Sequence, residues 1–203
     1  MASKGRPGGK PAAKKPAHAR PAGEVRIIGG QWRRTKLPVV DKPGLRPTPD
    51  RVRETLFNWL GQDLAGWRCV DAFAGTGALG FEAASRGAKA VTLVEQDAAL
   101  LAQLKKLKDQ LKADAVQVQR GDGVASLRAL PPQSVDLVFL DPPFDAQLFA
   151  PALQAAAQAL AADGWIYLEA PTAWGEDQLA PLGLTLHRHL KAGAVHAHLL
   201  RRG

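Results

Sequence analysis

The chain has 203 residues, 46% hydrophobic and 23% charged, with a formal net charge of +8. That length suits one α/β domain, or a domain with a small appendage, and it is enough to bury a sizeable core. A single cysteine, Cys69, excludes an internal disulfide framework; the longest uncharged run, Ala146 to Ala162, holds three Gln and a Pro and excludes a membrane span; no apolar stretch follows the basic N-terminus, as a secretory signal requires. A basic, cytoplasmic protein is expected.

Apart from Met1, Ser3 and His18, residues 1–23 are Pro, Gly, Ala and six Lys/Arg, with no acid. Such a segment has little apolar surface to offset the entropy of ordering, so a disordered basic tail is expected. From Glu24 the pattern changes. Val25, Ile27 and Leu37 to Val40 flank Gly29-Gly30 and predict a small β-hairpin. Thr48-Pro49-Asp50 predicts a helix start, with Val52, Leu56, Phe57 and Leu60 at helical spacing and Gly61 as the stop.

Strands and helices then alternate. Strands are predicted over Arg68–Ala74, Ala90–Glu95, Ala115–Gln119, Val135–Asp141 and Trp165–Glu169. The helices between them are Gly77–Arg86, Asp97–Ala113, Gly123–Leu130 and Gln147–Ala162. This alternation predicts a mostly parallel sheet covered by helices. Leu184–Leu190 and Val195–Leu200 follow, joined closely enough for an antiparallel hairpin. With Ala192-Gly193 as its turn, His189 would face His196 and His187 would face His198. All four imidazoles would then share one face, opposite Leu186, Leu190, Val195 and Leu199. That face is expected to be a polar one that charges as pH falls, and no metal is expected there.

Charge is segregated along the chain. Residues 24–60 hold eight Lys/Arg against four acids, residues 61–183 nine against fifteen, and residues 184–203 four against none. Basic flanks around an acidic centre suggest a polyanion held at the edges while chemistry happens in the middle. Arg33, Arg34, Lys36, Arg46, Arg51 and Arg53 are the candidate phosphate contacts.

Two motifs carry chemistry. Asp71-Ala-Phe-Ala-Gly-Thr-Gly-Ala-Leu-Gly80 leaves a strand and enters a helix, so its glycines permit a tight turn and close backbone approach. Gly75, Gly77 and Gly80 match a dinucleotide fingerprint, with Glu95 ending the next strand where a ribose-binding acid belongs. Asp71, however, would repel a pyrophosphate and favour a cationic ligand. The second motif, Leu140-Asp141-Pro142-Pro143-Phe144, ends a later strand. Asp141 and the Pro142 carbonyl supply acceptors, Pro143 restricts the direction of that carbonyl, and Phe144 supplies a flat face. Together they form a clamp for a planar ring bearing an exocyclic amino group. A strand-ending Pro-Pro turn with a core Phe is the plainer reading, and the glycine motif at an earlier strand favours the clamp.

These two motifs resemble those of S-adenosylmethionine-dependent methyltransferases acting on a base amino nitrogen. Arg26-Ile-Ile-Gly-Gly, Leu45-Arg-Pro-Thr-Pro-Asp-Arg-Val-Arg-Glu-Thr-Leu-Phe-Asn-Trp59 and Gly80-Phe-Glu-Ala-Ala-Ser-Arg-Gly87 resemble the RsmD family, bacterial 16S ribosomal RNA (guanine-N2)-methyltransferases. The resemblance runs from residue 24 to about residue 200. Where that family usually carries Arg-Gly-Arg-Lys-Leu, this chain has Arg33-Arg34-Thr35-Lys36-Leu37.

The resemblance implies a Rossmann-like class I methyltransferase fold, with a C-terminal antiparallel hairpin. It implies an RNA-binding hairpin and helix over residues 24–61 and a methyltransferase domain over 62–203. S-adenosyl-L-methionine would be the cofactor. Asp71 and the turn of Phe73, Gly75, Thr76 and Gly77 would lie against its methionine portion, with Glu95 on the ribose and Asp122 on the adenine amino group. Asp141 and Pro142, braced by Pro143, would hold the guanine amino group, and Phe144 would stack on the base. The implied partner is 16S ribosomal RNA or a small-subunit particle, met by a monomer with no obligate protein partner. Competing readings are an adenine-N6 methyltransferase, an NAD-dependent oxidoreductase and an RNA-binding assembly protein without turnover.

Overall fold

A computed structural model describes residues 23–144 and 147–203, so the expected basic tail lies outside the described residues except for Gly23. A two-stranded antiparallel ribbon comes first, β1 (Glu24–Arg26) and β2 (Lys36–Pro38), followed by helix α1 (Asp50–Trp59). The alternating region contributes β3 (Arg68–Asp71), α2 (Ala78–Ser85), β4 (Ala90–Glu95), α3 (Ala98–Leu111) and β5 (Val116–Arg120). It continues through α4 (Gly123–Arg128), β6 (Val135–Leu140), α5 (Phe149–Ala159) and β7 (Leu160–Ala170). A short helix α6 (Glu176–Leu179) precedes β8 (Leu184–Ala192) and β9 (Val195–Arg202).

The sheet order is β5-β4-β3-β6-β7-β9-β8. The first five strands pair in parallel, and β9 runs antiparallel to β7 and β8. This is the predicted α/β architecture with its closing hairpin. The chain starts in the middle at β3, builds outward through β4 and β5, then returns to β6 on the other side. The β3/β6 boundary is therefore a switch point, where flanking connections diverge and leave a crevice at the carboxyl ends.

Each face of the sheet buries its own apolar layer. One layer joins Val25, Ile27, Leu37, Val52, Leu56 and Phe57 of the N-terminal segment to Phe81, Leu93, Leu104, Phe139 and Tyr167. The other joins Val124, Leu127, Leu153 and Leu179 to Val138, Leu140, Ile166 and Leu168. Phe57, Phe139 and Tyr167 follow one another in tilted and edge-on contact, with centroids 6.3 Å apart at each step. Offset or tilted pairs of this kind add about 1 kcal/mol each beyond their buried area. Residues 24–61 thus pack directly onto the sheet beneath β3, β6 and β7.

The docking of that segment corrects one expectation. Arg53 is not an exposed phosphate contact: it is fully buried, with Nη1 3.1 Å from Glu82 Oε2 and Nη2 2.6 Å from Asp50 Oδ1. It also donates to the carbonyls of Thr48 and Arg26. Glu82, equally buried, accepts from the backbone N–H groups of Ile28 and Gly29 and from Arg86. Ser85 donates to the Gly29 carbonyl and accepts from the Trp32 N–H. Helical spacing from Val52 puts Arg53 on the inner side of α1, and only a buried carboxylate makes that burial affordable.

Arg34 adopts φ 71°. This is a left-handed value that glycine adopts without strain, at the position where the resembling family carries glycine; a non-glycine residue there costs on the order of 1 kcal/mol. The chain keeps the turn despite the substitution.

The C-terminal hairpin also departs from expectation. Its turn is Gly193-Ala194, with Ala192 opposite Val195 and Gly193 at φ 61°, a value alanine at 192 would resist. His189 therefore faces His198, not His196, and a register shift between Leu186 and Arg188 breaks the alternation at His187. His187 turns to the other face and packs on Trp165 at 4.8 Å. Three imidazoles, not four, remain together, and Leu186 pairs with Leu200 on their side. His198 is buried with both ring nitrogens engaged, Nε2 accepting from the Trp174 N–H and Nδ1 donating to the Leu168 carbonyl. Burial above all pushes it down to about 4, so it stays neutral.

Several element ends also shift, and the strand predicted over Trp165–Glu169 begins already at Leu160. The fifth helix stops at Ala159 instead of Ala162, because Leu160 turns extended to bury its side chain opposite Val135. The first strand of the parallel set ends at Asp71 instead of Ala74, where the glycine turn begins.

Candidate active site

Four carboxylates end four neighbouring parallel strands. In sheet order they are Glu95 of β4, Asp71 of β3, Asp141 after β6 and Glu169 near the end of β7. Asp71 is register-paired with Phe139, and Phe139 with Tyr167. Alternation then directs Asp71, Asp141 and Glu169 to the same face of the sheet.

Asp71 is buried, and its Oδ2 accepts the Gly80 N–H at 3.2 Å, in the first turn of α2. Gly77 caps that helix with φ 80°, and a Cβ there would lie 2.6 Å from Leu104 and 2.7 Å from Phe81. Only glycine satisfies both demands. Glu95 is half-buried and holds the turn from the other side, accepting from Gly75 N–H at 2.9 Å and Asp97 N–H at 2.8 Å. Phe73 is half-buried and Thr76 buried within the turn. Asp122 is exposed and caps α4, with Oδ1 accepting from Ala125 N–H. Its other oxygen accepts no hydrogen bond among the described residues.

Asp141 is half-buried and accepts no hydrogen bond from the described residues. Pro142 is buried, Pro143 exposed, and the Phe144 ring is 42% exposed, an unusual state for a large aromatic. An open carboxylate, a constrained proline pair and an exposed ring thus meet beside the switch point.

Two contributors were not singled out from the sequence. Glu169 is buried, with Oε1 accepting from Thr48 Oγ1 at 2.5 Å and Tyr167 Oη at 2.9 Å. Thr48 belongs to the segment before α1, and Leu45 of that segment lies against Gly75. The segment therefore crosses from the glycine turn to the end of β7, with Arg46 exposed between. Glu169 ends its predicted strand as Glu95 and Asp141 end theirs, and that repetition was the available signal. Arg33, Arg34, Arg46 and Arg51 are exposed, while Lys36 is exposed and paired with Glu24 at 2.9 Å.

The electrostatics follow from crowding acids at neighbouring strand ends. Burial pushes Asp71 up to about 7, against the Gly80 and Phe73 N–H groups and helped by Glu95 and Glu169. Asp141 is held well above the usual carboxylate range by burial first, then by Glu169 and Asp71. Burial also raises Glu169, opposed by the Thr48 and Tyr167 hydrogen bonds. Such a cluster favours a cation or hydrogen-bond donors over an anion.

It also ties stability to pH. An acid raised on folding stabilises fully below its unfolded value, and that stability is lost as pH rises through the folded value. Unfolding free energy of the protein alone should therefore fall between about pH 4 and about pH 7. For Asp71 the loss is on the order of 4 kcal/mol. Urea titrations at pH 5 and pH 8 should show this fall, and Asp71→Asn, which still accepts the Gly80 N–H, should flatten it. An equal slope in the variant would contradict the assignment.

Comparison with known proteins bears on the same arrangement. A family model described as conserved hypothetical protein 95 matches residues 25–201. The Escherichia coli K12 protein named Ribosomal RNA small subunit methyltransferase D is 45% identical over 195 residues, covering 93% of this chain and 95% of that one. The solved structure of the Escherichia coli protein yhhF, named as a methyltransferase, shares 43% identity at a TM-score of 0.76, over 89% of this chain and 98% of that one. A Haemophilus influenzae protein named as a methylase shares 36% identity at a TM-score of 0.72, over 89% and 99% of the two chains. The fold is that of the class I methyltransferases.

Proposed function

The chain belongs to the conserved hypothetical protein 95 family, the RsmD family, and on that premise we propose that it methylates small-subunit ribosomal RNA. The proposed acceptor is the exocyclic N2 of a guanine in 16S RNA, and the proposed donor is S-adenosyl-L-methionine. The protein would act as a cytoplasmic monomer on the RNA or on a small-subunit particle.

The observation that carries this reading is Asp141. It is a carboxylate without a hydrogen-bond donor among the described residues, at the switch point, followed by two prolines and an exposed aromatic ring. Asp141 and the Pro142 carbonyl would accept from the base amino group, Pro143 would keep that carbonyl aimed, and Phe144 would stack on the ring. Two acceptors favour a more pyramidal nitrogen and stabilise positive charge developing on it. The base has to leave its stack to reach them.

The residues also fit the donor by their chemistry. A buried acid, Asp71, beside the Phe73–Gly77 turn suits a ligand carrying positive charge, and Thr76 adds a hydroxyl there. Glu95 would accept from ribose hydroxyls while holding Gly75, and the unengaged oxygen of Asp122 would accept from the adenine amino group. When bound, the donor supplies a methyl group already activated by a sulfonium. The protein's task is then alignment of donor and acceptor.

Arg33, Arg34, Lys36, Arg46 and Arg51 are the proposed phosphate contacts, with Arg46 closest in the chain to the residues lining the crevice. The test is transfer of a labelled methyl group to small-subunit particles purified from a strain lacking the protein. Label incorporated into 16S RNA supports the reading. Particles that stay unlabelled, with the protein folded and donor bound, would overturn it.

A further inference from the structure

The proposed reaction leaves one proton to be placed. When the amine nitrogen takes the methyl carbon, its lone pair forms the new N–C bond and the donor sulfur keeps the electrons of the old one. One N–H proton must then leave the nitrogen. Asp141 is the open carboxylate at that position, but an ordinary aspartate is a weak base at neutral pH.

Glu169 lies beside it. Leu140 and Leu168 are register-paired on adjacent parallel strands, so Asp141 and Glu169 occupy the next paired position and point to the same face. Glu169 is almost fully buried, and its Oε1 is fixed by Thr48 and Tyr167. Every fully buried side-chain oxygen or nitrogen among the described residues has a partner. Because Oε2 of Glu169 has none, it is not fully buried and is the oxygen of that carboxylate left unengaged.

We propose that Glu169 is a positioning residue acting through Asp141, whose basicity its neighbouring charge raises so that Asp141 takes the amine proton before water does. Thr48 sets the strength of this effect by donating to Glu169, and so joins the Arg46-bearing segment to the reacting end. The inference rests on the proposed guanine-N2 reading for the identity of the proton, though the coupling itself does not need it.

The neighbouring groups are consistent with this assignment. Asp71 on β3 and Tyr167 on β7 share the face with Asp141 and Glu169, and Glu95 lies one strand further out. The basic groups of the N-terminal segment are committed elsewhere or exposed, as Arg53 is to Glu82 and Arg46 is to solvent. His196 and His198 lie on the opposite face, with Leu168 and Ala170. Like charge is therefore the principal local influence on Asp141 apart from burial.

The experiment is a titration of the Asp141 carboxyl by carbon-13 NMR in the unliganded protein, beside a pH profile of methyl transfer. In Glu169→Gln the Asp141 midpoint and the acid limb of the profile should both move about one pH unit lower, with kcat about tenfold lower. Thr48→Val lets Glu169 keep a proton more readily and should move both the same way by a smaller amount. Glu169→Asp retains the charge and should stay closer to wild type than Glu169→Gln does.

If Glu169→Gln melts early, Thr48→Val carries the test. An unmoved Asp141 midpoint in a folded variant overturns the proposal, whatever happens to turnover. A moved midpoint with full turnover in Asp141→Asn would instead leave the coupling intact and overturn the catalytic reading.

Discussion

Asp141→Asn is expected to lower methyl transfer by about 100- to 10,000-fold, in the range of a lost acid–base group. Donor affinity should stay close to wild type, because the proposed donor contacts are Asp71, the glycine turn, Glu95 and Asp122. Asparagine keeps the shape of the side chain and one carbonyl acceptor. It loses the charge that stabilises a developing ammonium, and it presents an amino group to an amino group. The same variant should be more stable than wild type at pH 7 and above, since a crowded carboxylate beside Glu169 and Asp71 has been neutralised. Calorimetric donor titration, single-turnover transfer and urea unfolding together read all three effects. Near-normal turnover would remove Asp141 from the chemistry; stability that falls instead of rising would contradict the electrostatics of the crevice.

Arg53→Met should destabilise the protein by about 3–5 kcal/mol, the usual cost of leaving a buried charge without its partner. The methionine keeps most of the volume, so the loss reflects Glu82 and the carbonyls of Thr48 and Arg26 rather than a cavity. Arg86→Met should cost less, because Arg86 donates to Glu82 alone among the described residues, whereas Arg53 also donates to Asp50 and to two backbone carbonyls. Turnover should fall with Arg53→Met as well, since the segment it anchors carries Thr48 and Arg46 to the crevice. Equilibrium urea unfolding measures the first effect. A change below about 1 kcal/mol would mean the network is not what holds the segment down.

The architecture was legible because alternation of apolar strands and amphipathic helices is a strong, repeated signal. Three sequence blocks that carried the family resemblance turn out to be one buried cluster: Ile28 and Gly29, Arg53, and Glu82 with Ser85 and Arg86. Arg53 was misjudged because an arginine in a basic run looks the same whether its guanidinium meets solvent or a buried carboxylate. The hairpin failed for a related reason. Its face assignment hangs on which residue turns the chain, and a one-residue difference, plus the irregularity at His187, moves an imidazole to the other side.

At the site, Glu95 and Asp141 could be placed because each ends a predicted strand, Asp71 and the glycine turn because their motif leaves a strand and enters a helix, and strand ends converge in a parallel sheet. Glu169 met the same criterion without a motif around it. Its importance lies in Thr48, 121 residues away in the chain, and no local pattern announces that bond. Phe144 was expected to offer a flat face, and its exposed ring is in keeping with that proposal.

The most direct test of the central claim is the identity of the methylated nucleoside. Small-subunit particles from a strain lacking the protein would be incubated with it and labelled donor, and the RNA digested and separated by mass spectrometry. The account predicts N2-methylguanosine from a single site in 16S RNA. N6-methyladenosine would transfer the same clamp to a different base and contradict the guanine reading, and an absence of methylated nucleoside would contradict the account as a whole.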